Sequence, residues 1–340
     1  MNKPKKQNEV YKGVLTGSNL KQRKQEIIKE IEDETGFKLT KHLGESAWWG
    51  SSEIGAFHSE GEIDGIKATL KIQGVKPKTS EIDMINGFDK QNKSLIIRPP
   101  KLIKTIPWSD ERNYEALVME WIPDKRVINI PTNKKEISLF FELYDEYKSK
   151  CVGEPWLDKP EGKIGEIIKN NFANWRKIAY KMYPDHPFRE SGDEKLIDKA
   201  VEILVHGYQG IEPEFQHGHL SDGDFYHVSG EQIVLLSNLY WSWRQPFYDA
   251  IFGQHWFLYH LADSELNEKE VLEQMSLWWE KIDDLPKSPE EERLLKLAYL
   301  ERAAAGLNLD GLSTKTDIEL SGKIMEITRK RMADLIENLS

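Results

Sequence analysis

Between Phe215 and Asp249 the chain gathers side chains that could do chemistry at short intervals. His217 and His219 flank a single glycine, Asp222 and Asp224 follow, Asn238 comes after the apolar run Ile233-Val234-Leu235-Leu236, and Asp249 closes Pro246-Phe247-Tyr248-Asp249. Imidazoles donate or accept protons, while carboxylates and amides offer oxygen to hard divalent cations. Two chemistries use these types. His217, His219, Asp222 and Asp224 have the donor set of a metal-dependent hydrolase, with His227, His255 and His260 downstream. A carboxylate together with an amide can also hold Mg²⁺ beside a phosphoryl group. The hydrolase pattern H-x-H-x-D-H is not met, because the Asp falls one place late and no His follows it.

The order and spacing resemble the core of the aminoglycoside phosphotransferase and choline kinase family. That family reads H-G-D-L-x-x-x-N, then an apolar strand ending in I-D, then D-P-x-x-D-x-A. This chain reads His217-Gly218-His219-Leu220-Ser221-Asp222-Gly223-Asp224, then Ile233 to Asn238, then Pro246 to Asp249. The resemblance implies an α+β, two-lobed protein-kinase-like fold, with a small antiparallel-sheet N lobe and a large helical C lobe. It puts His219 at the catalytic Asp, Asp224 at the metal-binding Asn and Asn238 at the metal-binding Asp. All three polar positions are substituted.

Phosphoryl transfer depends on positioning, on metal, and on a carboxylate that takes the hydroxyl proton. Polyphosphate favours a charged imidazole, which donates and cannot accept. Loss of a positioned base costs roughly 10²–10⁴-fold in rate without removing nucleotide binding. The exchange at Asp224 and Asn238 keeps one carboxylate and one amide, so the expectation there is weakened metal binding. The implied function is a degenerate, pseudokinase-like phosphotransferase that binds nucleotide or a small ligand with little or no turnover. The alternatives are an active atypical ATP-dependent small-molecule phosphotransferase, with Asp222 or Asp224 as base or metal ligand, and the hydrolase above. ATP or another nucleotide, with Mg²⁺, is the implied cofactor, bound weakly or not at all.

Other segments must position this core. Ile66 to Ile72 alternates as a strand and places Lys71 where the family's Lys meets the nucleotide phosphates. Glu81 opens a short helical segment and is the expected partner of Lys71, at a shorter spacing than usual. Tyr114 to Pro123 resembles the last N-lobe strand and hinge, where backbone groups of Glu120 and Ile122 would meet an adenine edge. Gly44 to Gly55 stands at the phosphate-covering loop, and its Trp48-Trp49 pair suits burial better than phosphate contact. The expected division is a basic tail and leading helix over 1–36, an N lobe over 37–123, and a helical C lobe over 124–340 that contains the 215–249 core. Helical periods run over Lys134–Lys150, Gly162–Met182, Asp193–Tyr208, Pro246–Ala262, Glu268–Asp284, Pro289–Leu307 and Thr316–Leu339.

Composition narrows the function classes. The 340 residues, 39% of them hydrophobic and including 11 Trp, are enough for a large core. A net charge of −10 argues against a nucleic-acid partner. Cys151 is the only cysteine, which points to a reducing compartment. No apolar run is long enough to span a bilayer. The expectation is a soluble, cytoplasmic protein with an unknown small-molecule ligand, no nucleic acid and no membrane, leaving a protein partner open. Trp241, Trp243, Trp256, Trp278, Trp279, Tyr240 and Tyr259 read as core before they read as a cage for a cationic ligand.

Overall fold

The computed structural model describes residues 18–46, 56–74, 79–129, 133–228, 230–261, 266–314 and 318–340. The basic tail before Ser18 and the Trp48-Trp49 loop lie outside the described residues.

The N-terminal part is an antiparallel sheet of β1 (Lys38–Ser46), β2 (Ala56–Ile63), β3 (Ile66–Gln73), β5 (Leu102–Ser109) and β6 (Tyr114–Glu120), ordered β1-β2-β3-β6-β5. Strands β2 and β3 join through Asp64-Gly65, whose φ angles of 51° and 77° make the two-residue turn that matches strand twist. Alternation then sorts the side chains onto two faces. Phe57, Leu70, Ile72, Tyr114, Ala116 and Val118 bury against Ile27 and Ile31 of helix α1 (Ser18–Thr35). Each such side chain contributes roughly 1.5–3 kcal/mol over exposure. Helix α1 ends at Gly36, where φ reaches +79°.

On the opposite face Leu117 and Met119 pack with Ile82 and Ile85 of helix α2 (Glu81–Gln91). Lys71 pairs with Leu117 across β3 and β6, and opposed residues project from the same side of a sheet. Lys71 therefore emerges on the α2 face.

The remainder is largely helical: α3 (Lys134–Glu146), α4 (Ile164–Met182), α5 (Asp193–Gly207), α6 (Tyr248–His260), α7 (Glu268–Asp283), α8 (Pro289–Asn308) and α9 (Glu319–Leu339). Their buried core also takes in Met84 and Phe88 of α2, so α2 joins the sheet to the helices. Close approach at that junction requires Gly87, because a Cβ there would lie 2.4 Å from the Trp156 indole. Five short strands frame the chemistry-bearing segment. β4 (Ile97–Arg98), β9 (Ile233–Leu235) and β8 (Phe225–His227) form one small sheet, and β7 (Glu214–Gln216) pairs with β10 (Ser242–Arg244). Among the described residues no helix is long and apolar enough to cross a membrane.

Candidate active site

Lys71 and Glu81 meet. Lys71 Nζ lies 2.6 Å from Glu81 Oε2, an ion pair whose angles fall short of a hydrogen bond. Glu81 is the first residue of α2, and that helix start is fixed from the sheet. Ser80 caps it by accepting the Ile82 N–H. The fully buried Glu115 carboxylate of β6 accepts the Glu81 N–H at 3.0 Å and the Ser80 hydroxyl. An anion at a helix N-terminus is favoured by the exposed N–H groups and the helix dipole. Burial nevertheless raises the Glu115 carboxyl above its ordinary range, although these hydrogen bonds work the other way.

Glu120 has one of its two backbone groups engaged within the sheet. Its N–H donates to the Lys101 carbonyl at 2.9 Å, and its carboxylate holds the Arg98 guanidinium and the Lys101 N–H. A ligand therefore cannot use that N–H. Ile122 is different, since its N–H reaches only Thr69 Oγ1 at 3.5 Å. It is the loosely held donor of this segment.

The loop that begins at His217 is suspended from Asp249 at the start of α6. The buried Asp249 carboxylate accepts the His217 N–H at 3.0 Å, the Gly218 N–H at 2.9 Å and the Tyr147 hydroxyl at 2.7 Å. Gly218 has φ +77°, and a Cβ there would fall 2.5 Å from the Tyr240 carbonyl, so this position demands glycine. His217 is buried, with Nε2 2.8 Å from the Leu236 carbonyl. Burial holds its imidazole below the ordinary range, and the neutral ring is a structural donor.

His219 stacks on Tyr240 with ring centroids 4.5 Å apart, and also touches Phe252. Its Nδ1 lies 3.4 Å from Asp224 Oδ2. Asp224 is buried, and burial alone would raise its carboxyl. The adjacent His219, followed by His217 and the Ser237 hydrogen bond, draws it below the usual carboxylate range instead. An ionised Asp224 can only accept, which assigns a proton to His219 Nδ1 in this contact.

Asp224 already has donors on both oxygens. Oδ2 accepts the Ser221 N–H at 2.8 Å and the Ser221 hydroxyl at 2.7 Å, and Oδ1 accepts the Ser237 hydroxyl at 2.5 Å. The expected partnership of Asp224 with Asn238 is not formed. Asn238 is buried, donates Nδ2 to the Leu235 carbonyl at 2.9 Å and accepts Trp241 Nε1 at 3.0 Å. The side chain that meets Asp224 is Ser237, whose left-handed backbone (φ 59°) turns its hydroxyl inward. A carboxylate and a hydroxyl, already bonded to each other, fit Mg²⁺ poorly beside the carboxylate and amide that the resemblance implied. Among the described residues no group of three or more His, Cys, Asp or Glu is arranged to hold a metal ion. The hydrolase grouping disperses for the same reason: His217 Nε2 is committed to Leu236, and buried Asp222 lies within the field of Arg126.

Trp241 and Trp278 are fully buried core residues, and Arg302 lies over Tyr248, Phe252 and Trp175. Sequence reasoning missed the roles of Ser237, Glu115 and Asp249. Only Asp249 carried a signal, as the last residue of the Pro246-to-Asp249 motif.

No protein-family model matches the chain. No curated protein matches it by sequence. Solved structures do match. Aminoglycoside phosphotransferase APH(4)-Ia superposes with a TM-score of 0.53 at 9% identity, covering 92% of this chain and 97% of that one. A microcompartment-associated aminopropanol kinase gives 0.55 at 11% identity, with coverage of 92% and 96%. The fold is that of the protein-kinase-like small-molecule phosphotransferases. The amicoumacin kinase hAmiN, solved with AMP-PNP, Ca²⁺ and Ami, gives 0.52 at 14% identity, covering 94% and 96%. At these identities the likeness extends to the kinase-like fold, and the chemistry rests on this chain's own residues.

Proposed function

We propose that this chain is a nucleotide-binding, kinase-like protein with little or no phosphotransferase turnover, acting on or sensing a small-molecule ligand. One contrast carries the reading: the Lys71–Glu81 pair is formed, while both Asp224 oxygens already accept hydrogen bonds from Ser221 and Ser237 and Asn238 is turned into the core. Lys71 supplies a fixed cation for phosphate. The metal positions supply one carboxylate, each oxygen of which already accepts a hydrogen bond from the protein. Since phosphoryl transfer draws its rate from positioning and charge neutralisation, that loss weighs on turnover more than on binding. Similar structures solved with ADP and hygromycin B, or with AMP-PNP and Ami, support a nucleotide together with a small molecule.

The contact between His219 and Asp224 favours a second reading, an atypical active phosphotransferase in which a carboxylate orients the imidazole as proton acceptor. ADP formation with ATP and a panel of amines, sugars and aminoglycosides separates the two. Background rates support the first reading, and steady turnover that disappears in His219→Ala establishes the second.

A further inference from the structure

The cleft face of the sheet carries a second polar side chain that the kinase-like reading does not use. Register pairs His58 of β2 directly with Lys71 of β3, so both side chains project from the α2 face. Phe57 and Ile72, the next pair along, lie on the opposite face under α1. On the same side as His58, Thr69 holds the Ile122 N–H. His58 therefore shares the sheet face that carries Lys71 and Thr69, the residue that reaches the Ile122 N–H.

Among the described residues nothing hydrogen-bonds the His58 ring, which is half-buried. An imidazole without a protein partner keeps a donor and an acceptor available to a ligand. We infer that His58 contacts the bound nucleotide, its imidazole hydrogen-bonding an uncharged polar edge, either a ribose hydroxyl or a nucleobase heteroatom. This rests on the nucleotide-binding reading above. Burial first, then the charge of Lys71 and then His42, push the ring down to about 3, so it is neutral at physiological pH. A neutral ring beside a lysine is a poor phosphate ligand and a good partner for a neutral edge. The phosphates fall to Lys71.

Titration calorimetry on the full chain, in EDTA at pH 7.5, tests this with ATP, GTP and 2′,3′-dideoxy-ATP against wild type, His58→Phe and His58→Gln. Phe keeps ring volume without polar atoms, and Gln keeps a donor and an acceptor. His58→Phe should bind ATP roughly 3–10-fold more weakly, as loss of one net hydrogen bond requires, with His58→Gln in between and melting temperatures alike. If the edge is ribose, dideoxy-ATP binds wild type as weakly as ATP binds His58→Phe. If it is the base, dideoxy-ATP and ATP bind wild type alike, and discrimination between ATP and GTP collapses in His58→Phe. Equal affinities in wild type and His58→Phe for all three nucleotides would overturn the inference while leaving nucleotide binding standing. Absence of any binding to wild type would remove both.

Discussion

Replacing Lys71 by Met should cost more stability than a surface lysine can, and the structure gives the size. Nζ lies 2.6 Å from Glu81 Oε2, with the two side chains 13% and 4% exposed. At an effective dielectric constant of about 20 the gross attraction at that distance is about 6 kcal/mol, most of it offset by desolvating both groups. What an assay reads on removing one partner is the stranded charge, about 3–5 kcal/mol for a buried pair. In a chain of this length that is a fall of roughly 4–7 °C in melting temperature. The double variant Lys71→Met/Glu81→Leu removes the stranded carboxylate and should recover most of the loss, within about 2 kcal/mol of wild type. Thermal and urea melts of the four proteins in the cycle measure this directly. Lys71→Met melting within a degree of wild type, or a double variant as unstable as the single one, would refute the buried-pair argument and with it the case for Lys71 as a fixed cation.

Three further outcomes follow from the same geometry. Asp249→Ala strands the His217 and Gly218 N–H groups and the Tyr147 hydroxyl, and should lower the unfolding free energy by at least about 3 kcal/mol in urea melts. For pH, desolvation pushes the His58 and His186 rings down to about 3 and about 4. The unfolded chain binds those protons first, so stability falls as pH drops from about 6.5 toward those values. Lys71 and His42 are the charges acting on His58, and the urea midpoint of His58→Phe should fall less than that of wild type between pH 7 and pH 4.5. Finally, Asn238→Asp puts a carboxylate against the Leu235 carbonyl and should destabilise by about 2–4 kcal/mol, without creating a metal site. In contrast, Ser237→Asp combined with His219→Asp and Asp224→Asn should gain Mg²⁺-dependent ATP binding by calorimetry, which Asn238→Asp in place of Ser237→Asp should not.

What was legible in the sequence follows physical range. Helix boundaries were readable because periodicity is local: the period expected over Pro289–Leu307 is α8, Pro289–Asn308, and the leading helix expected within 1–36 stops at Gly36. The loop around His217 was readable because its glycine and flanking apolar strand fix its shape. Two features of the site depend on non-local facts. Glu120 loses its N–H to Lys101, a pairing set by sheet topology. Ser237 and Asn238 are neighbours, and which one faces Asp224 is decided by one left-handed residue and by Trp241 reaching back to the Asn238 amide. Glu115 gave no signal, because an acid inside an apolar strand reads as an interruption until the helix start above it is known.

The central claim is that the cleft keeps its phosphate-binding cation and has lost its metal pair. Affinity of the wild-type protein for ATP, measured by calorimetry in Mg²⁺ and again in EDTA, tests it most directly. The account predicts binding in both, differing by less than about tenfold, and lost in Lys71→Met/Glu81→Leu. Tight binding that vanishes in EDTA would contradict it, because Asp224 and its neighbours would then form a working metal site despite the hydrogen bonds that fill them.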